Sequence, residues 1–184
     1  MWWIILAIIA VIVIWVVGTY NSLVHAKQNL EQAWSEIDNQ LKRRFDLIPN
    51  LVETVKGYAA HEKSTLEEVI KARNAYLSAG GSVDEKINAE NALTSGLRQL
   101  FALSENYPEL KANTNFRDLQ VELTGTEDKI AYARQYYNTS AREYNAKLLT
   151  FPNNIIASMF KANFTEAKYF EAASEERENV KVQF

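Results

Sequence analysis

The sequence predicts an all-α protein, an N-terminal transmembrane helix continuing into an antiparallel up-and-down helical bundle of three long helices plus one short helix. Three observations predict it. The 184 residues include only three prolines and six glycines, well under the averages of about 5% and 7%. Met1 to Val17 carry no polar side chain. From Leu23 onward, apolar residues recur at steps of three and four, the period of an amphipathic helix. The expected organisation is an anchor over 1–20, a bundle over 21–160 and a tail over 161–184 with a partly extended end.

The first element is the anchor. Seventeen apolar residues rise about 26 Å as a helix, and Gly18, Thr19 and Tyr20 extend this to about 30 Å, the thickness of the hydrocarbon layer. Trp2 and Trp3 at one end and Trp15 and Tyr20 toward the other occupy the levels where amphipathic rings favour a membrane boundary. A cleaved signal peptide is the rival reading, but no Lys or Arg precedes the apolar run. The first cation is Lys27. With Lys42-Arg43-Arg44 following later, the positive-inside rule places a single-pass protein in the cell membrane with its bundle in the cytoplasm.

The second element is a long seam through Leu30, Trp34, Ile37, Leu41, Phe45, Ile48, Val52, Val55 and Ala59, then Leu66, Val69 and Tyr76. It is expected to run as one helix to Ala79-Gly80-Gly81, where glycines end it. Pro49 predicts a kink over Phe45 to Pro49, because it removes a backbone donor and crowds the preceding turn. The seam over Leu23 to Trp34 is expected to lie uncovered by the shorter helices, which gives identical neighbours a reason to pack there.

Ser82 and Glu85 form a capping box that opens the next helix, with Val83, Ile87, Leu93, Leu97, Leu100 and Leu103 inward until Asn106-Tyr107-Pro108. The third long helix begins near Thr114 or Asn115, carries Phe116, Leu119, Leu123, Ile130, Ala133, Tyr137, Tyr144 and Leu148, and stops before Phe151-Pro152. Gly125 is a weak point in it. Asn154 to Phe160 form the short helix, and Val180 to Phe184 alternate like an extended tail. Candidate core residues are Trp34, Ile37, Leu41, Tyr137 and Tyr144. Tyr137 and Tyr144, with Asn138 and Asn145, repeat at a spacing of seven, as bundle layers with polar register residues do.

Composition excludes several chemistries. There are no cysteines, hence no disulfide framework, thiol nucleophile or Cys-ligated metal. The formal net charge of −3 argues against nucleic acid as the main partner. Neither His25 nor His61 has the Glu-x-x-His spacing of a di-metal bundle, and no zinc-protease, nucleophile-elbow or phosphate-loop pattern occurs. A pair such as Glu122 with Glu127 is routine on a solvated helix face. No catalytic, cofactor-binding or metal site is predicted, so the chain is read as a non-enzyme.

The charged cluster is the remaining candidate. Arg44 lies about 40 Å along a straight helix from Val17, several screening lengths from a bilayer, so Lys42-Arg43-Arg44 is not a headgroup patch. Arg43 or Arg44 is expected to pair with Asp46 or with a carboxylate on a neighbouring helix and set packing register. Arg43, Arg44, Asp46, Pro49 and Asn50 are alternatively the contact residues for a partner protein, and Asn50 is placed to bond a backbone group freed by Pro49.

The stretch AWSEIDNQLKRRFDLIPNLVETVKGYAAHEKSTLEEVIKAR, from Ala33 to Arg73, closely resembles the signature of the bacterial LemA family. So do YPELKAN, FRDLQVELTGTEDKIAYARQYYN and REYNAKLLTFPNNIIASMF between Tyr107 and Phe160, and Tyr169-Phe170-Glu171 resembles the closing motif. The resemblance implies a membrane-anchored, mostly helical bundle without established catalysis, some of whose relatives are associated with shaping internal membranes. Two functions are therefore expected in competition. One is self-assembly as a homo-oligomer, a closed ring included, that scaffolds envelope components and meets lipid through its N-terminal helix. The other is an adaptor that binds one envelope protein through KRRFDLIPN.

Overall fold

The computed structural model describes residues 1–80 and 83–170. Within them lie six helices: α1 (Trp2–Lys56), α2 (Lys63–Ser78), α3 (Val83–Ser104), α4 (Pro108–Ala112), α5 (Thr114–Leu149) and α6 (Asn153–Met159). The protein is all-α, with a long apolar helix at its N-terminus. The expected roles of Ser82, Glu171 and the Val180–Phe184 tail fall outside the described residues.

The main difference from expectation is that the seam helix does not run on to Ala79. It stops at Lys56, and a turn over Gly57–Glu62 reverses the chain into α2. Gly57 weakens helix persistence, and Ala59, fully buried, packs the corner closed. Side chains then tie the corner down: Tyr107 Oη donates to Glu62 Oε1 at 2.9 Å, and Asn113 Nδ2 donates to Tyr58 Oη at 3.0 Å. The apolar period continues across this turn because α2 turns its own buried stripe, Leu66, Val69, Ala72 and Tyr76, toward the same core. Gly80, at φ 55°, ends α2 in the left-handed conformation that suits glycine.

Other boundaries have local causes. α1 passes through Pro49 unbroken, with Ile48, Leu51 and Val52 buried around it, so packing outweighs the missing backbone bond. Pro108 cannot extend α3 but is suited to a first helical turn, and it opens α4. The Asn113 side chain accepts a hydrogen bond from the Phe116 N–H at 3.0 Å, an N-cap that starts α5.

The chain divides into two compact units, one of Met1–Ile37 with Tyr132–Phe170, the other containing Asp38–Ala131. In the first, α1 and α5 run antiparallel, and Leu23, Tyr144, Leu148, Ile156, Ala157 and Phe164 form the core, with Val16, Tyr20, Val24 and Leu30 packed on it. This corrects the expectation that the seam over Leu23 to Trp34 lies uncovered. Leu23 and Ala33 are fully buried, Leu23 in one core with Ile156 and Ala157 of α6 and with Phe164, and Trp34 stacks on Phe170 at 5.7 Å. In the second unit, α2 and α3 pair antiparallel. They approach closely at Gly96, where a Cβ would lie 3.1 Å from Val69 Cγ2.

Candidate functional site

In the first unit, the outstanding surface is the N-terminal helix itself. Trp2, Trp3, Ile4 and the apolar residues that follow, as far as Val17, are largely exposed, and only 6% of the most apolar window of α1 is buried. By length and composition α1 is able to cross a membrane. Trp2, Trp3 and Trp15 lie on this bare stretch. Tyr20 does not, since its ring packs edge-on against Phe160 at 5.0 Å and Phe164 at 5.5 Å. The bundle therefore begins within one turn of the end of the apolar run.

Above this level, two amides organise the segment 163–170. Asn145 Nδ2 donates to the Ala167 carbonyl at 2.9 Å while its Oδ1 accepts from the Ala167 N–H at 2.8 Å. One heptad earlier, Asn138 makes the same pair of bonds with Phe170, at 3.0 and 2.8 Å. An amide offers a donor and an acceptor side by side, so each asparagine imitates the edge of a strand and holds one residue of extended chain. Tyr137 Oη donates to the Lys168 carbonyl at 3.1 Å. Tyr144 is buried, and that burial, reinforced by Glu31, raises its hydroxyl above the ordinary tyrosine value.

In the second unit, Arg43 and Arg44 have opposite fates. Arg43 is exposed and donates to Glu122 Oε1 of α5 at 2.9 Å. Arg44 is 1% exposed. Its Nη1 donates to Glu90 Oε1 and to Thr94 Oγ1 of α3, each at 3.1 Å, and its Nη2 lies 3.5 Å from Glu127 Oε2 of α5. Thr94 in turn donates to Glu90 Oε1 at 3.1 Å. Burial lowers the guanidinium from its ordinary value, Glu127 raises it, and Arg98 lowers it. An arginine stays protonated through such shifts, so the layer is ionic.

Asp46, Pro49 and Asn50 are exposed. The Asn50 carbonyl accepts from Thr54 Oγ1 at 2.8 Å. Asn50 lines a groove of about 440 Å³ between α1 and α5 with Glu53, Thr54, Asn115, Asp118 and Glu122. Of the candidate core residues, Ile37, Leu41, Tyr137 and Tyr144 are buried, while Trp34 is half-buried and meets Tyr137 edge-on at 5.9 Å.

Sequence reasoning missed a second charged group. Tyr76 Oη donates to Asp38 Oδ1 at 3.0 Å, and Lys86 Nζ donates to the same oxygen at 2.6 Å. The Tyr76 ring stacks on Phe45 at 4.1 Å. Burial, then the hydrogen bond to Asp38, raises the Tyr76 hydroxyl above its ordinary value. Glu90 was missed as well. The signal available was its place on the inward face of α3, seven residues before Leu97 and three before Leu93. Among the described residues, no group of three or more His, Asp or Glu is placed to hold a metal ion.

The fold thus defines a class: a helical bundle carried on a bare apolar helix. The LemA family model matches residues 33–184, and the chain belongs to that family. Protein LemA of Metamycoplasma hominis is 26% identical over 164 residues, covering 89% of this chain and 74% of that relative. Magnetosome protein MamQ 2 of Paramagnetospirillum magneticum is 26% identical over 177 residues, covering 83% of this chain. The match spans 64% of MamQ 2's length. Magnetosome protein MamQ of Magnetospirillum gryphiswaldense is 24% identical over 176 residues, covering 82% of this chain and 64% of that relative.

Proposed function

We propose that the protein is a non-enzymatic, single-pass membrane protein whose bundle self-associates and thereby organises envelope components. The observation that carries this reading is the division of α1, whose first turns are bare and apolar while its remainder supplies bundle core. Burial of that bare stretch in lipid removes it from water. Self-contact is supported by Tyr132 and Tyr136, one turn apart on α5 and both more than half exposed, since tyrosine is enriched where proteins meet. The bundle lies on the cytoplasmic side in this reading, on the charge rule already given.

Light scattering on the full chain in mild detergents and in nanodiscs tests it. The expected result is an oligomer that dissociates in a Tyr132→Asp, Tyr136→Asp variant with unchanged helix content. A monomer in every detergent and in nanodiscs rejects self-association.

The adaptor reading is favoured by one specific observation, the groove at Asn50, whose lining includes Glu53, Asp118 and Glu122 and suits a basic segment of a partner. A photo-crosslinker at Asn50 separates the two readings. Adducts between copies support self-assembly, and one heterologous adduct supports the adaptor.

A further inference from the structure

The end of the bundle nearest the anchor carries a second apolar surface. α6 buries Ile156 and Ala157 against the core and turns Ile155 and Met159 outward, 45% and 69% exposed. Phe151, four residues before Ile155, is also exposed, as are Leu149 and Phe160. A stripe of large apolar groups at a spacing of four is unusual on a surface that meets only water.

Its position says what covers it. Val16, still within the apolar run of α1, packs on the same core as Ile156, and Phe160 lies against Tyr20. Val16 to Leu23 spans about 10 Å of helix axis, so α6 sits at the level where the span leaves the hydrocarbon. Charge agrees with this. Residues 1–30 and 144–165 contain no Asp or Glu but include Lys27, Lys147 and Lys161, in a chain whose formal net charge is −3. Lys147 Nζ reaches Ser22 Oγ at 3.2 Å, and Lys27 Nζ reaches the Asn163 carbonyl at 3.1 Å and lies 3.9 Å from Glu31 at the edge of this acid-free region, so these two cations lie at the same end.

We propose that α6 and its flanks are a second membrane contact, with Phe151, Ile155 and Met159 lying in the boundary between acyl chains and headgroups and the lysines at the phosphates. Short amphipathic helices enter that boundary to a depth of about 5 to 10 Å, and lysine stems extend toward the phosphates as their apolar parts stay low. The inference rests on the anchored reading of α1 and adds a function to it. A tether through one helix leaves the bundle free to tilt, whereas two contacts fix its orientation on the bilayer.

Because the chain has no native cysteine, nitroxide labels report depth in the otherwise intact protein. Met159→Cys, Ile8→Cys and Val121→Cys variants of the full chain are reconstituted in vesicles of phosphatidylcholine and phosphatidylglycerol. Collision rates with oxygen and with a water-soluble nickel chelate are then compared. The expected result is a Met159 label with several-fold fewer nickel collisions than the exposed Val121 label and higher oxygen accessibility, between Val121 and Ile8. Nickel access equal to that at Val121, with Ile8 in lipid, overturns the inference and leaves the anchor standing. Nickel access at Ile8 as well overturns both. A Met159 label shielded from both reagents shows a protein occupant and also overturns the lipid contact.

Discussion

The two compact units solve the same problem, holding α1 against α5, with different chemistry. Over Met1–Ile37 and Tyr132–Phe170 the contacts are aromatic rings and aliphatic side chains, and the polar partners next to them are amides paired with backbone at Ala167 and Phe170. Over Asp38–Ala131 the polar layer is ionic, with Arg44 held by Glu90 and Glu127 and Asp38 by Lys86. The difference follows from what each must select. An amide presents a donor and an acceptor together and so recognises one residue of extended chain. A buried guanidinium has several donors in a fork and can address α3 and α5 at once, which penalises any register that leaves it unpaired.

The largest loss of stability is expected at Arg44. Arg44→Met removes the cation that neutralises Glu90 in the core, and loss of one partner of a buried pair costs about 3 to 5 kcal/mol. Chemical denaturation followed by circular dichroism should show that loss, and a compensating Arg44→Met, Glu90→Leu double variant should recover most of it. Next in size is the amide clamp. Asn145→Ala leaves the Ala167 N–H and C=O without their partner, at about 1 to 3 kcal/mol for an unmade buried bond. Here the effect should be local, with faster hydrogen exchange at Ala167 and little change at Leu93 or Leu97.

Tyr76→Phe keeps the stack on Phe45 and removes the bond to Asp38, for about 1 kcal/mol at neutral pH. Its signature is the pH profile. Because the folded state raises the Tyr76 hydroxyl, its contribution is complete below the unfolded value of about 10 and is lost as pH rises above it. The wild type should therefore lose stability more steeply in alkali than Tyr76→Phe, as thermal melts across that range will read. Smallest is Arg43→Ala, an exposed pair worth about 0 to 1 kcal/mol. A cost as large as that of Arg44→Met would erase the distinction between the two arginines.

How far residues could be read in advance follows the same division. The apolar run, the start of α5, the short helix and the inward positions of α3 and α5 were legible because each is a local pattern. The break at Gly57 was not, since α2 resumes the same apolar period after the chain has reversed. Arg43 and Arg44 are adjacent and chemically alike. Helical period does separate them, since Arg44 stands three residues after Leu41 and four before Ile48 on the buried face of α1 and Arg43 does not, but which carboxylates meet Arg44 is decided by the arrival of Glu90 and Glu127 from other helices.

Sequence alone determined the elements that depend on side-chain period and composition: a helical chain and an N-terminal apolar run long enough to cross a bilayer. Tertiary structure decided what covers what. It laid α6 and Phe164 against Leu23 and Phe170 against Trp34, placed Tyr20 among Phe160 and Phe164, and turned two asparagines seven residues apart into clamps for the backbone at Ala167 and Phe170. Burial and hydrogen-bond pairing join residues far apart along the chain, from 22 positions for Asn145 with Ala167 to 136 for Lys27 with Asn163, beyond the few residues over which a helical period is read.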